Sequence, residues 1–195
     1  MQVIMGLVRH GQTEWNALGK IQGQTDIPLN EEGIRQAQAL ARRIASEDRQ
    51  WDAVVASDLS RAAETARIIS ETIGVPLLAG DSRLRERYFG EIEGTTTSER
   101  LKRWGDNWPL EAAGAESDES VNARASSFIE QWKRESPRIS LLVVSHGNFM
   151  ASMLPLMCSS ALDEHIGNLS YSILQWDEEG WTPLLYNCTA HVQND

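Results

Sequence analysis

The sequence predicts an α/β fold, a β-sheet whose strands alternate with packed helices. Two observations carry that reading. Short apolar runs suited to buried strands (residues 3–8, Ala53–Ala56 and Ser140–Ser145) each lead into a polar segment and then into helical spacing. The composition, 41% hydrophobic and 24% charged over 195 residues, is that of a chain able to bury a core without staples.

The elements follow in order. Residues 3–8 form a strand that ends in a polar, glycine-bearing loop. Asn30 can cap a helix whose first turn carries Glu31 and Glu32, favourable at the positive end of the helix dipole. Ile34, Ala37, Ala41 and Ile44 continue at helical spacing. Ala53–Ala56 reads as a buried strand. Residues 57–60 offer cap residues for a helix over 61–73, and Gly74 is placed to end it. Residues 75–79 are a further strand candidate. Ser140–Ser145, the fourth strand in that count, runs straight into His146-Gly147 and an apolar helix. Residues 171–176 and 181–186 form a closing hairpin around Glu179-Gly180. Residues 95–119, with Trp104, Trp108, Pro109 and the acids Glu111, Glu116, Asp118 and Glu119, read as an inserted lid. The alternative is a surface excursion without a role.

Bulk properties exclude several functions. A formal net charge of −10 argues against nucleic acid and anionic membranes as partners. No apolar stretch reaches transmembrane length, and residues 1–8 lack a basic leader and a cleavage site, so a cytoplasmic location is expected. Cys158 and Cys188 have no metal-ligand spacing; two buried free thiols in a reducing compartment are expected, with a single disulfide between them as the alternative. The histidines His10, His146, His165 and His191 show no close pairing, so no metal site is expected.

In α/β sheets ligands bind at the carboxyl ends of strands. Arg9-His10, residues 57–61 and His146 all fall at such ends. Phosphate chemistry needs convergent arginine and backbone donors, a nucleophile, and an acid for the leaving oxygen. A Cys-x5-Arg loop, an Asp-x-Asp pair, a Walker-type loop and a G-x-S-x-G elbow are all missing from the chain. Histidine with arginine remains.

Here the chain resembles a known family. L-V-R-H-G-Q-T-E-W-N at 7–16 is similar to the signature of the histidine phosphatase superfamily, the phosphoglycerate-mutase-like proteins. I-Q-G at 21–23, P-L-N-E-E-G-I-R-Q-A at 28–37, S-D-L-S-R-A-A-E-T-A at 57–66, L-R-E-R-Y-F-G-E-I-E-G at 84–94 and V-V-S-H-G at 143–147 follow in the family's order. The resemblance spans nearly the whole chain and is weakest in the lid. It implies a three-layer α/β/α sandwich with a mostly parallel central sheet, a single domain over 1–195 with a short lid at about 95–120.

It also implies roles. His10 would take the phosphoryl group on a ring nitrogen. Arg9, Arg61 and His146 would grip the phosphoryl oxygens, with Thr13, Asn16, Gln22, Gly23 and Gly147 around the substrate. Glu86 would protonate the leaving oxygen and later deprotonate water. The residue types suit these tasks: arginine stays charged and forks its donors, and neutral imidazole is nucleophilic. A carboxyl beside a phosphate dianion keeps its proton through like-charge repulsion. Glu86 sits among Arg83, Arg85 and Arg87, so a salt-bridged surface residue is its bland alternative, and Glu91 and Glu93 are rivals. An arginine at a helix start is electrostatically unfavourable unless an anion binds there, which gives Arg61 a reason. His165 and His191 are read as structural.

The acidic surface is compatible with an anionic substrate. At ~4 Å and an effective dielectric of ~20, one arginine–phosphate contact gains on the order of 4 kcal/mol before desolvation. Carboxylates beyond a Debye length of ~8 Å are largely screened. The expectation is therefore a phosphatase acting on a small phosphate ester, without a cofactor, with a homodimer left open. Two alternatives stand beside it: a cofactor-dependent phosphoglycerate mutase, and a silent phosphate-binding module. The lid cations are Arg100, Lys102 and Arg103, fewer than a mutase's basic insertion, which favours hydrolysis. The lid tryptophans suggest tolerance for apolar or aromatic leaving groups.

Overall fold

A five-stranded sheet carries the architecture, with strands β1 (Val3–Arg9), β2 (Ala53–Ala56), β3 (Ser140–Ser145), β4 (Tyr171–Asp177) and β5 (Gly180–Cys188) in the spatial order β2-β3-β1-β4-β5. The computed structural model describes residues 2–108, 113–136, 138–158 and 166–192. β2, β3 and β1 are parallel neighbours, β4 runs antiparallel to β1, and β5 turns back along β4. Four strands therefore point one way, as expected for a mostly parallel sheet. The helices are α1 (Glu14–Ala17), α2 (Glu31–Ser46), α3 (Ser60–Ile73), α4 (Thr97–Trp104), α5 (Asp118–Glu135) and α6 (Gly147–Met157).

Strand alternation builds the two cores. Met5, Leu7, Val55, Leu141 and Val143 point to one face, where they meet Val121 and Phe128 of α5 and Phe149 and Met153 of α6. Val8, Val54, Leu142 and Val144 point to the other, against Leu40 and Ile44 of α2 and Ala62 and Ile69 of α3. The result is the three-layer sandwich. Gly6 has a steric reason: a Cβ there would come within 2.6 Å of Trp51 and Leu142.

Most helix ends follow local chemistry. The Asn30 side chain accepts from the Gly33 N–H at 2.8 Å, and Gly74 ends α3 with φ of 72°. Ile34, expected on the buried face of α2, is 36% exposed beside a buried Ala37.

Three details differ from the sequence reading. Residues 75–79 are not a strand; Leu77 makes an isolated bridge to Val54, so Ser140–Ser145 is the third strand. Pro76 has no N–H to offer a ladder, and Val54 is the one residue of β2 that bonds the segment, its N–H donating to Pro76 O and its carbonyl accepting from the Leu78 N–H. The loop after β1 contains α1, capped by Thr13 with Asn16 closing a reciprocal capping box. The start of α3 has no side-chain cap from its own Ncap Leu59. Asp26, 34 residues upstream of Ser60, instead accepts from the Ser60 N–H and hydroxyl at 2.8 Å each.

Candidate active site

The order β2-β3-β1 sets the carboxyl ends of three parallel strands side by side. This gathers Arg9-His10, residues 57–61 and His146 at one rim. Backbone bonds fix the junction: the His10 N–H donates to Ser145 O and the Ser57 N–H to Val144 O, each at 3.0 Å. The Gly11 N–H donates to the Thr65 hydroxyl of α3. A side chain at Gly11 would strike Gly33 O at 2.5 Å, so the turn after the strand can approach α2 only as glycine.

His10 is 2% exposed, and its Nδ1 lies 2.7 Å from Gly11 O. A carbonyl only accepts, so Nδ1 carries the proton and Nε2 keeps its lone pair. The His146 ring lies 5.1 Å away, centroid to centroid, and both its nitrogens are buried without a partner among the described residues. Burial, then Arg61 and Arg9, hold His10 well below the usual imidazole range. Burial and Arg61 act on His146 in the same direction, followed by His10 and Arg9. Both rings are therefore neutral at pH 7.

Two arginines face these rings. Arg9 donates through Nη1 to Ile166 O, its Nε is buried and unpartnered, and burial lowers its pKa. Arg61 is fully buried. Its Nη2 donates to Gly23 O at 2.7 Å and its Nη1 to Thr25 O at 3.0 Å, while Nε has no partner. Burial pushes its pKa down to about 10, opposed by the nearby carboxylates of Glu86, Asp26 and Glu93.

The loop that anchors Arg61 is held by Glu93. That carboxylate accepts from the N–H groups of Gln24, Thr25 and Phe89 at 3.0 Å each and from the Thr25 hydroxyl at 2.6 Å. A Cβ on Gly23, whose φ is 55°, would fall 1.9 Å from Glu93 Oε1. Glu93 is thus saturated by its own loop, and Glu91 is exposed.

Glu86 has a different setting. It is 8% exposed, and its carboxylate accepts from the N–H groups of Asn148 at 3.1 Å and Phe149 at 2.8 Å, in the first turn of α6, and from the Arg87 N–H at 2.8 Å. None of its neighbouring arginines pairs with it. Arg83 forks onto Asp81, Arg85 onto Asp58, and Arg87 reaches Asp118.

A cavity of about 480 Å³ opens over these groups. Its walls include Arg9, His10, Asn16, Gln22, Gly23, Arg61 and Glu86. The Asn16 Oδ1 takes bonds from the Thr13 N–H, the Thr13 hydroxyl and Asn168 Nδ2. Its amide nitrogen has no partner among the described residues. Thr13 lies behind the wall, fully buried, with its hydroxyl on Gln22 Oε1 and Asn16. Gly147 packs beneath Arg9, where a Cβ would lie 3.3 Å from Nε. His146 stands behind His10 rather than in the wall.

The sequence reading missed Asn168, which donates to His10 O, and Lys20, Arg87 and Asn148, which also line the cavity. No local motif distinguishes these residues from surface polar groups. Trp108 lines the cavity beneath the Arg100 guanidinium, 4.8 Å from its ring centre, whereas Trp104 does not line it and stacks on Arg103. His191 is a hydrogen-bonded structural group: Nε2 donates to Leu169 O, so Nδ1 accepts from Arg43. His165, Pro109 and Glu111 lie outside the described residues. Cys158, buried, and Cys188, half-buried, form no disulfide. Among the described residues no cluster of metal-ligating side chains is present, and no helix is long and apolar enough to cross a membrane.

A neutral histidine with a free lone pair, buried arginines, and a carboxylate on a helix start define the equipment of a phosphoryl-transfer protein. The family model of the histidine phosphatase superfamily (branch 1) matches residues 5–189, and the chain belongs to that family. It is 34% identical to the phosphatase PhoE of Bacillus subtilis over 190 residues, 95% of each chain. It is 30% identical to a metal-independent phosphoserine phosphatase of Arabidopsis thaliana, covering 96% of this chain and 82% of that one. A mycobacterial glucosyl-3-phosphoglycerate phosphatase solved with VO3 superposes with a TM-score of 0.83 at 26% identity, covering 95% of this chain and 99% of that one.

Proposed function

We propose that this protein hydrolyses phosphate monoesters through a phosphohistidine on His10, with Glu86 as the proton donor. The observation that carries the reading is the Nδ1 bond to Gly11 O, which leaves the Nε2 lone pair free beside two buried arginines. In the first step Nε2 bonds to phosphorus, the ester P–O bond breaks, and the Glu86 proton passes to the leaving oxygen. The ring becomes cationic, and the Gly11 carbonyl faces the N–H that carries this charge. In the second step the Glu86 carboxylate takes a proton from water, whose oxygen bonds to phosphorus as the P–N bond breaks. Arg9 and Arg61 neutralise the phosphoryl oxygens throughout, Asn16 and Gly23 add donors, and His146 backs the His10 ring. Thr13, Gln22 and Gly147 position this set.

The chain acts as a single domain, and Trp108 and Ala115 bring part of the lid segment to the cavity wall. The protein takes small phosphate esters in the cytoplasm and needs no metal. Hydrolysis is favoured over mutase action by the lid cations. Arg100 is spent on Thr95 O and Thr97 Oγ1 and stacks on Trp108, and Arg103 stacks on Trp104.

The test is trapping of a phosphoenzyme. Brief exposure to labelled 4-nitrophenyl phosphate should give an adduct that is acid-labile, base-stable and absent in His10→Ala, with turnover unaffected by chelators. No adduct and no turnover across a phosphate-ester panel would instead favour a phosphate-binding module. Isomerisation of 3-phosphoglycerate with bisphosphoglycerate much faster than any hydrolysis would make it a mutase.

A further inference from the structure

Residues 166–170, just before β4, hold several groups of the site. Ile166 O accepts from Arg9 Nη1, and Ser170 O from the Arg9 N–H. His10 O accepts from Asn168 Nδ2 at 3.2 Å and from the Leu169 N–H at 3.5 Å. Asn168 Nδ2 also reaches Asn16 Oδ1, which leaves the Asn16 amide nitrogen for the cavity. Leu169 is the strained member of this loop. Its φ of 51° is the left-handed region that a leucine side chain disfavours, so neighbouring groups must hold it there.

His191 supplies the polar part of that hold. It is buried in the short 3-10 helix Ala190–Val192, and its Nε2 donates to Leu169 O at 2.8 Å. Leu169 thus bridges His10 on its N–H and His191 on its carbonyl. The ring is itself set from α2, where Arg43 Nη1 lies 3.1 Å from Nδ1. A guanidinium only donates, so Nδ1 accepts and the proton sits on Nε2, where Leu169 O receives it. Burial lowers the pKa of His191 from its ordinary value, which keeps the ring neutral at pH 7. Arg43 is anchored in turn by its Nε bond to Glu47 Oε1 at 3.1 Å.

We propose that His191 is a positioning residue for phosphoryl binding: its bond to Leu169 O holds residues 166–170 against Arg9, His10 and Asn16. This rests on those three residues forming the phosphoryl seat. Without the bond Leu169 relaxes out of the left-handed region, His10 O loses its donors and Arg9 its anchor. Misplacement of reacting groups by ~1 Å costs on the order of a hundredfold in rate.

The experiment measures the Kd of vanadate by calorimetry and kcat/KM on 4-nitrophenyl phosphate. His191→Leu keeps apolar bulk and removes both ring nitrogens; His191→Phe is a second probe of the same loss, closer in shape. In whichever folds, Kd should rise and kcat/KM fall by about 10- to 100-fold. His191→Gln still has a donor for Leu169 O and an acceptor for Arg43, so it should recover most of the loss. Kd is a property of the folded molecules alone, so partial unfolding does not imitate the effect. On an Asn168→Ala background His191→Leu should weaken vanadate binding less than on the parent, because one contact it protects is already gone. A role in global stability alone would leave the two substitutions additive. An unchanged vanadate Kd, no recovery by glutamine, or strict additivity with Asn168→Ala overturns the proposal. A His191-dependent Kd in a chain that hydrolyses nothing keeps the positioning role and removes the phosphatase reading.

Discussion

Replacing Arg61 by methionine separates a binding arginine from a structural one. The guanidinium is fully buried, and its pKa falls from 12.5 to about 10, chiefly through desolvation. That depression corresponds to roughly 3 kcal/mol of cost for keeping the charge in the empty protein. Both values lie above neutrality, so the whole cost is present at pH 7. Methionine keeps most of the stem and removes the charge. It also removes the charged hydrogen bonds to Gly23 O and Thr25 O, worth about 1.5–3 kcal/mol each. The balance runs from near zero to about 3 kcal/mol destabilising, and Tm should stay put or fall by up to roughly 10 °C, at about 2–4 °C per kcal/mol for a chain of this size. Activity should behave differently. Loss of one arginine–phosphoryl contact at ~4 Å and an effective dielectric of ~20 removes about 4 kcal/mol, close to a thousandfold in kcat/KM. Thermal melts and hydrolysis of 4-nitrophenyl phosphate read the two effects. A stability loss above about 3 kcal/mol, the usual result of breaking a buried charge network, would refute the desolvation argument. So would kcat/KM within tenfold of the parent.

Three further expectations follow from the same geometry. Glu86→Gln should lower kcat on alkyl phosphates by about 10²- to 10⁴-fold and on 4-nitrophenyl phosphate far less, since a good leaving group needs little protonation; equal losses would remove Glu86 from the acid role. Glu93→Ala frees four donors of the Gln24, Thr25 and Phe89 segments, so the vanadate inhibition constant should rise by about tenfold or more, as expected for charged hydrogen bonds. The pH profile of kcat should not move; a displaced limb would make Glu93 a proton-transfer group. Stability should fall in acid because His10 and His146 are held neutral in the fold. The unfolded chain takes up these protons as pH drops through 6.5 and the folded chain does not, so the contribution is complete above 6.5. It is lost below that pH by about 1.4 kcal/mol per pH unit for each ring. Urea denaturation at pH 7 and 5.5 should show a shallower pH slope for His146→Gln, and an unchanged slope would place the titration elsewhere.

The parts of the fold legible in the sequence are those made by near neighbours. β1, β2, β3 and the closing hairpin each carry their own apolar pattern, and the Asn30 cap and Gly74 stop act within one turn. Residues 75–79 look like a strand because of the apolar run Val75, Leu77 and Leu78, but a strand needs a partner edge, and Val54 alone of β2 supplies ladder bonds. Asp26 as the cap of α3 could not be read locally, because 34 residues separate it from Ser60. Glu86 and Glu93 are both acids within one short segment. Their separation into a helix-start carboxylate facing the cavity and a loop clamp depends on the folding back of residues 22–25 and on the placement of α6.

The sequence alone determined the class: an α/β sheet, three strand ends bearing Arg9-His10, Arg61 and His146, and a family resemblance that the family match bears out. These are properties of residue order, and short-range periodicity and motifs encode them. Only the tertiary structure decided which nitrogen of His10 keeps its lone pair and which acid faces the cavity. Each of those depends on distances between segments far apart in the chain, and an electrostatic energy is set by distance and burial rather than by sequence separation.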